Sequence, residues 1–185
     1  MNNTFKNAVG ALSIALLLPV FAASELPQQT KARKEAIQVT RSIETTTRAI
    51  HKQADELVAA QRNNHGNQTQ KIRLQRIADS INGQLKPAFD RLAELQPDLP
   101  EWHQTAIDQM RSSAASLAAN TNAAILNRNA STQGHPVVLD PEYGQLVANM
   151  TSQAGALIQV ADATSDYGSA QLKGHSAGLP ITAHN

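Results

Sequence analysis

The 185-residue chain is 41% hydrophobic but only 3% aromatic, carries 16 Lys/Arg against 15 Asp/Glu, and has no cysteine. Its core must come from Ala, Leu, Ile and Val, and such side chains let helices approach closely. The missing cysteine excludes disulfides, zinc-thiolate and iron–sulfur sites, a cysteine nucleophile and covalent C-x-x-C-H haem attachment; neither half of the chain is basic enough for a nucleic-acid partner.

The first stretch, "MNNTFKNAVGALSIALLLPVFAAS", has one lysine, an apolar run from Ala8 to Phe21 and small residues at its end. This is the layout of a secretory signal peptide, with cleavage expected after Ala22 or Ser24. The apolar run falls short of the ~20 residues a spanning helix needs, and Pro19 interrupts it. No second run of spanning length follows, so no membrane span is expected after cleavage. Export without cysteine points to a periplasmic or secreted protein. Removing the leader with Lys6 leaves 15 basic and 15 acidic residues, divided unevenly: residues 24–100 hold 12 Lys/Arg and 9 Asp/Glu, residues 101–185 hold 3 and 6.

Helix 1 is expected from about Pro27 to Arg62. Ala36, Ile43, Ile50 and Leu57 recur every seven residues, the heptad pattern of packed helices. "NNHGNQT", residues 63–69, is a loop by composition. Helix 2 follows from about Thr69 to Gln96, with an apolar stripe of Leu74, Ile77, Ile81, Leu85, Ala88, Leu92 and Leu95. Gly83 and Pro87 predict a kink, since proline lacks a backbone donor and clashes with the preceding turn; such a kink either widens a pocket or fits the helix to its neighbours.

In "QPDLPEWHQ", Pro97 stops helix 2, Asp98 and Glu101 form a capping-box-like pair, and Pro100 is tolerated in the first turn. Helix 3 then carries a stripe of His103, Ala106, Met110, Ala114, Leu117, Thr121 and Ala124, ending near Asn127 to Asn129. Trp102 is expected to plug one end of the core, with His103 a polar first-turn residue. The connection "NASTQGHPVVLDPEYG" is long enough to serve as a lid or a crossover strap. Asp140 caps helix 4 with Pro141 at its first position. Tyr143, Val147, Met150, Ala154, Leu157, Ala161 and Thr164 form its inner stripe, which fades between Gly168 and Gly174. The chain therefore reads as a leader (1–24), an all-α, antiparallel up-down-up-down four-helix bundle (25–172) and a disordered tail (173–185).

Sites are sparse. His103 and Met110 share a face but stand about 10.5 Å apart along the axis, so no single metal can bind both. Across helices, His51 and Met150 fall at similar expected heights, and His/Met is an axial pair used by haem; a noncovalent haem- or metal-binding bundle is thus the alternative reading. Against it, His51 follows the seam residue Ile50 and points to a flank. His65 and His135 lie on loops at one end and are candidate ligands for a surface transition metal. No Glu-x-x-His pair, nucleophile elbow or phosphate loop is present. The expected function is a non-catalytic binding or interaction module without a cofactor. Its partner would be a protein, an envelope component or a small ligand, and the Ala-rich runs of helices 3 and 4 would allow self-association.

Overall fold

The computed structural model describes residues 27–62, 67–130 and 140–176. They are helical almost throughout: α1 (Pro27–Arg62), α2 (Asn67–Ser80), a π-helical turn (Ile81–Leu85), α3 (Lys86–Leu95), a 3-10 turn (Gln96–Asp98), α4 (Glu101–Ala130) and α5 (Pro141–Ser176). The segment α2–π–α3 acts as one arm, which gives four helical arms. The expected leader, the His65 loop and the "VVL" connection lie outside the described residues, as do residues 177–185. Among the described residues, no helix is long and apolar enough to cross a membrane.

Side-chain pairs show how the arms run. Arg73 meets Glu56 and Arg91 meets Glu35, so the second arm descends as α1 rises. Asn127 donates to Asp140 at one end of the α4–α5 pair, and Trp102 meets Tyr167 at the other. Gly144, Gly155 and Gly168 of α5 face Gln61, His51 and Ile37 of α1. Each arm is thus antiparallel to the neighbours it packs against, and α1–α5 and α4–α5 are the tightest pairs.

The heptad positions Ala36, Ile43, Ile50 and Leu57 are all fully buried, facing Val147, Met150, Ala154, Leu157 and Ala161 of α5 in a single core. Three of the buried threonines stay compatible with it by turning inward on their own helix. Thr47, Thr121 and Thr164 donate to the carbonyls of Ile43, Leu117 and Val160 at 2.7, 2.8 and 2.6 Å, which satisfies each hydroxyl at little cost beyond a slight bend. Asp140 caps α5 as expected, its Oδ1 accepting from the Glu142 N–H at 2.8 Å.

Three departures from the sequence expectation concern α4 and α5. Ile107, not Ala106, enters the core. Asp98 does not cap α4; it sits in the 3-10 turn, and the start of α4 is tied instead by Gln104 Nε2 donating to the Leu99 carbonyl at 2.8 Å. α5 also passes through Gly168 and Gly174 to Ser176, because Gly168 is held against Ile37 rather than left free to end the helix.

The glycines of α5 are not equivalent. A Cβ on Gly155 would lie 3.8 Å from His51 Nε2, an ordinary contact, whereas one on Gly168 would lie 2.9 Å from both Cδ1 and Cγ1 of buried Ile37. Gly155→Ala is therefore expected to stabilise the protein by up to about 1 kcal/mol through helix propensity. At Gly168 the same gain is outweighed by overpacking of about 1–3 kcal/mol. Denaturant midpoints of the two variants should move in opposite directions.

Candidate functional site

Pro87 determines the local backbone of the second arm. It cannot donate to the Gly83 carbonyl, and its ring would strike that carbonyl in a regular α-helix. The chain answers by widening one turn: the Lys86 N–H reaches back to the Ile81 carbonyl, five residues earlier. Such π turns are rare and cluster at functional sites. The extra residue shifts the phase of the helix beyond it, so Phe89 joins Leu92 and Leu95 as a buried residue of α3, and Ala88 packs only at the margin.

The phase shift redirects the arm. α2 packs on both α1 and α4, whereas α3 packs on α1. Two links hold the lower part of the arm to α1: the Thr46 hydroxyl donates to Gln84 Oε1 at 3.2 Å, and Arg91 Nε donates to Glu35 at 2.6 Å. The Arg91 guanidinium also binds Glu94, and these two carboxylates raise its pKa. α4 rejoins the arm at the 3-10 turn, where Gln96 Nε2 donates to Asp108 at 3.2 Å.

Between the π turn and that closure lies an open groove of about 620 Å³, within the ~300–1,000 Å³ typical of small-ligand sites. One wall is Ile81, Leu85 and Phe89; the other is Ala114, Ala115 and Ala118, whose methyl groups are too short to fill the gap. Lys86 and Arg111 stand on opposite rims. Each is paired with a carboxylate of its own helix, Lys86 with Asp90 at 2.8 Å and Arg111 with Asp108 at 3.3 Å. Exposed pairs of this kind are worth only about 0–1 kcal/mol, so both cations can be turned toward a ligand.

The residues singled out in the sequence lie elsewhere. His51 is half-buried on the α1–α5 seam, with Nδ1 3.1 Å from Asp55 Oδ2 and Nε2 against Gly155. Met150 is fully buried. With Gly155 opposite His51, Met150 sits five residues away along α5, about 7.5 Å. The structure thus places the two at different heights, one on a flank and one in the core. His65 and His135 lie outside the described residues. Among the described residues, no three His, Asp or Glu side chains come together as a metal site.

Two buried polar side chains stand out instead. Tyr143 is fully buried near the top of α5, its hydroxyl without a hydrogen-bond partner, and burial pushes its pKa up to about 12 against the pull of Arg128. His103 is fully buried at the opposite end, and neither ring nitrogen has a partner. Its ring stacks on Trp102 at 4.6 Å and 10°, and Trp102 meets Tyr167 edge-on at 4.7 Å. Trp102 is only half-buried, so the histidine, rather than the tryptophan, is the inner member of the pair. Compared with known protein families, curated proteins and solved structures, the chain matches none.

Proposed function

We propose that this chain is a non-catalytic binding protein, exported to a periplasmic or extracellular space by a cleaved leader, and that its four arms form an up-down-up-down bundle. It holds a small amphiphile, an apolar body with an acidic head, in the groove between the π turn and α4. The observation that carries this reading is the groove itself: a gap kept open by the Pro87-enforced π turn, walled by apolar side chains and rimmed by Lys86 and Arg111. Its size and its apolar walls, with Lys86 and Arg111 on the rim beside Asp90, Asn82 and Gln96, favour a compact ligand with an acidic head that competes for these cations over an extended protein surface.

Anilinonaphthalene sulfonate, an apolar dye with one sulfonate, is a suitable probe. The expected result is one dye per chain with enhanced emission. Ala118→Phe, which places a ring in the gap, should weaken binding at least tenfold, equivalent to about 1.4 kcal/mol, with the thermal midpoint nearly unchanged. Arg111→Gln should weaken it less and reduce its salt dependence. Dye binding that ignores Ala118→Phe, or that follows loss of helix, would sink the reading.

A further inference from the structure

His103 lies at the end of the molecule where α1 begins, α3 ends and α4 starts. It sits in the first turn of α4, where the positive end of the helix dipole disfavours a cation. The groups around it are the wrong ones to receive a proton's charge. From α1, Arg33 acts on it with a charge of like sign. Glu35 of α1 and Glu94 of α3 are both engaged by Arg91. Asp98 of the 3-10 turn, Glu101 of α4 and Asp166 of α5 are exposed, and none hydrogen-bonds either ring nitrogen. From α5, Tyr167 meets Trp102 edge-on, and Ser165 is buried with its hydroxyl unpartnered.

The segment carrying His103 is a short joint between two helices rather than part of a continuous helix. Between α3 and α4 the backbone runs through the 3-10 turn and an extended Leu99, with φ −98° and ψ 151°. Its backbone hydrogen bonds are local, Leu99 N–H to the Gln96 carbonyl at 3.1 Å and His103 N–H to the Pro100 carbonyl at 2.9 Å, with Gln104 Nε2 also on the Leu99 carbonyl; beyond them it is tied by Gln96 to Asp108 and by Trp102 to Tyr167. Leu95 and Leu99 are its apolar anchors.

We infer that the Gln96–Gln104 joint is an acid-sensitive latch: protonation of His103 expels its ring from the core and opens the joint while the rest of the helical body stays folded. Imidazolium cannot remain between Trp102, Arg33 and a helix N-terminus without water, whereas one turn of α4 and a short joint can peel away with little of the core disturbed. Burial holds the ring's pKa down at about 4, with Arg33 adding to the effect. The latch thus stays shut at neutral pH and responds only in clearly acidic surroundings. Opening would also release Gln96 from Asp108 and with it the lower end of the groove.

The chain's one tryptophan reports directly on this event. Emission of Trp102, far-UV dichroism and amide exchange by mass spectrometry would be followed from about pH 7 to about pH 4, across the range where histidine titrates. The expected result is a red shift of emission with helicity retained. After correction for intrinsic rates, exchange should quicken at least tenfold in peptides spanning residues 96–104, while the centres of α1 and α5 remain protected. His103→Leu should abolish both changes. The inference is overturned if His103→Leu shows the same transition, if protection is lost uniformly along the chain, or if the wild-type joint stays protected at the acid end. Should His103→Leu fail to fold, the wild-type exchange pattern decides alone.

Discussion

Between pH 7 and pH 4 the wild-type protein is expected to lose up to roughly 3 kcal/mol of stability that a His103→Leu variant keeps. In the folded state the imidazole pKa is lowered to about 4 from its ordinary 6.5, chiefly by burial. Above 6.5 the ring is neutral in both folded and unfolded chains, and it contributes no pH dependence. Between 6.5 and 4 the unfolded chain binds a proton that the folded one refuses, so stability falls as pH falls. Below 4 both are protonated and the loss is complete. At about 1.4 kcal/mol per pH unit, this interval accounts for the loss. Local opening of the Gln96–Gln104 joint sets a ceiling on it, because the chain will open the joint before it bears a larger penalty. A measured loss well short of 3 kcal/mol, together with early exchange at the joint, is therefore the mark of the latch. The leucine variant is also expected to gain about 1–2 kcal/mol at pH 7, since it removes two buried nitrogens that lack partners. Urea unfolding of both proteins at several pH values is the test, and parallel stability curves would rule out His103 as the titrating group.

Much of the helical body is legible in the sequence. The seven-residue repeat through Ile43, Ile50 and Leu57 locates the inner face of α1, and Asp140 followed by Pro141 marks the start of α5. These signals are local, and a fixed helical period reads them correctly. Phe89 escapes such a reading because the π turn inserts a residue into the period, and only the position of Pro87 hints at it. On α4, Ala106 and Ile107 are neighbours in a helix rich in small residues, so the pattern is too shallow to choose between them. Both halves of the groove are visible as a kink at Gly83–Pro87 and an Ala-rich run after Ser112. That they face each other depends on which way the arm turns after the kink, which the links from α1 to Gln84 and Arg91 determine. His103 gives a divided signal: it falls on the apolar stripe of its helix, yet its first-turn position reads as a polar residue, and the structure buries it with its ring stacked on Trp102.

The second large effect concerns α3 and reads the groove from its wall. Leu92 and Phe89 are consecutive buried residues on this helix, Leu92 fully enclosed and Phe89 with one side on the groove. Leu92→Ala would leave a closed void between α3 and α1, adding a cavity penalty to the lost transfer energy, and is expected to cost about 3–5 kcal/mol. Phenylalanine is the larger side chain, and in a sealed core its truncation would cost as much or more. Here, however, Phe89→Ala would only deepen an open groove that water can fill, leaving the transfer term alone, about 2 kcal/mol. The expected order is therefore Leu92→Ala more damaging than Phe89→Ala, the reverse of the order by size, measured as denaturant midpoints at constant m-value. Phe89→Ala should enlarge the groove and change dye affinity, while Leu92→Ala should leave affinity intact wherever the protein remains folded. If Phe89→Ala proves the costlier, the ring is sealed on all sides in solution, the two walls meet, and the gap that Pro87 and the alanines of α4 create is not an open site.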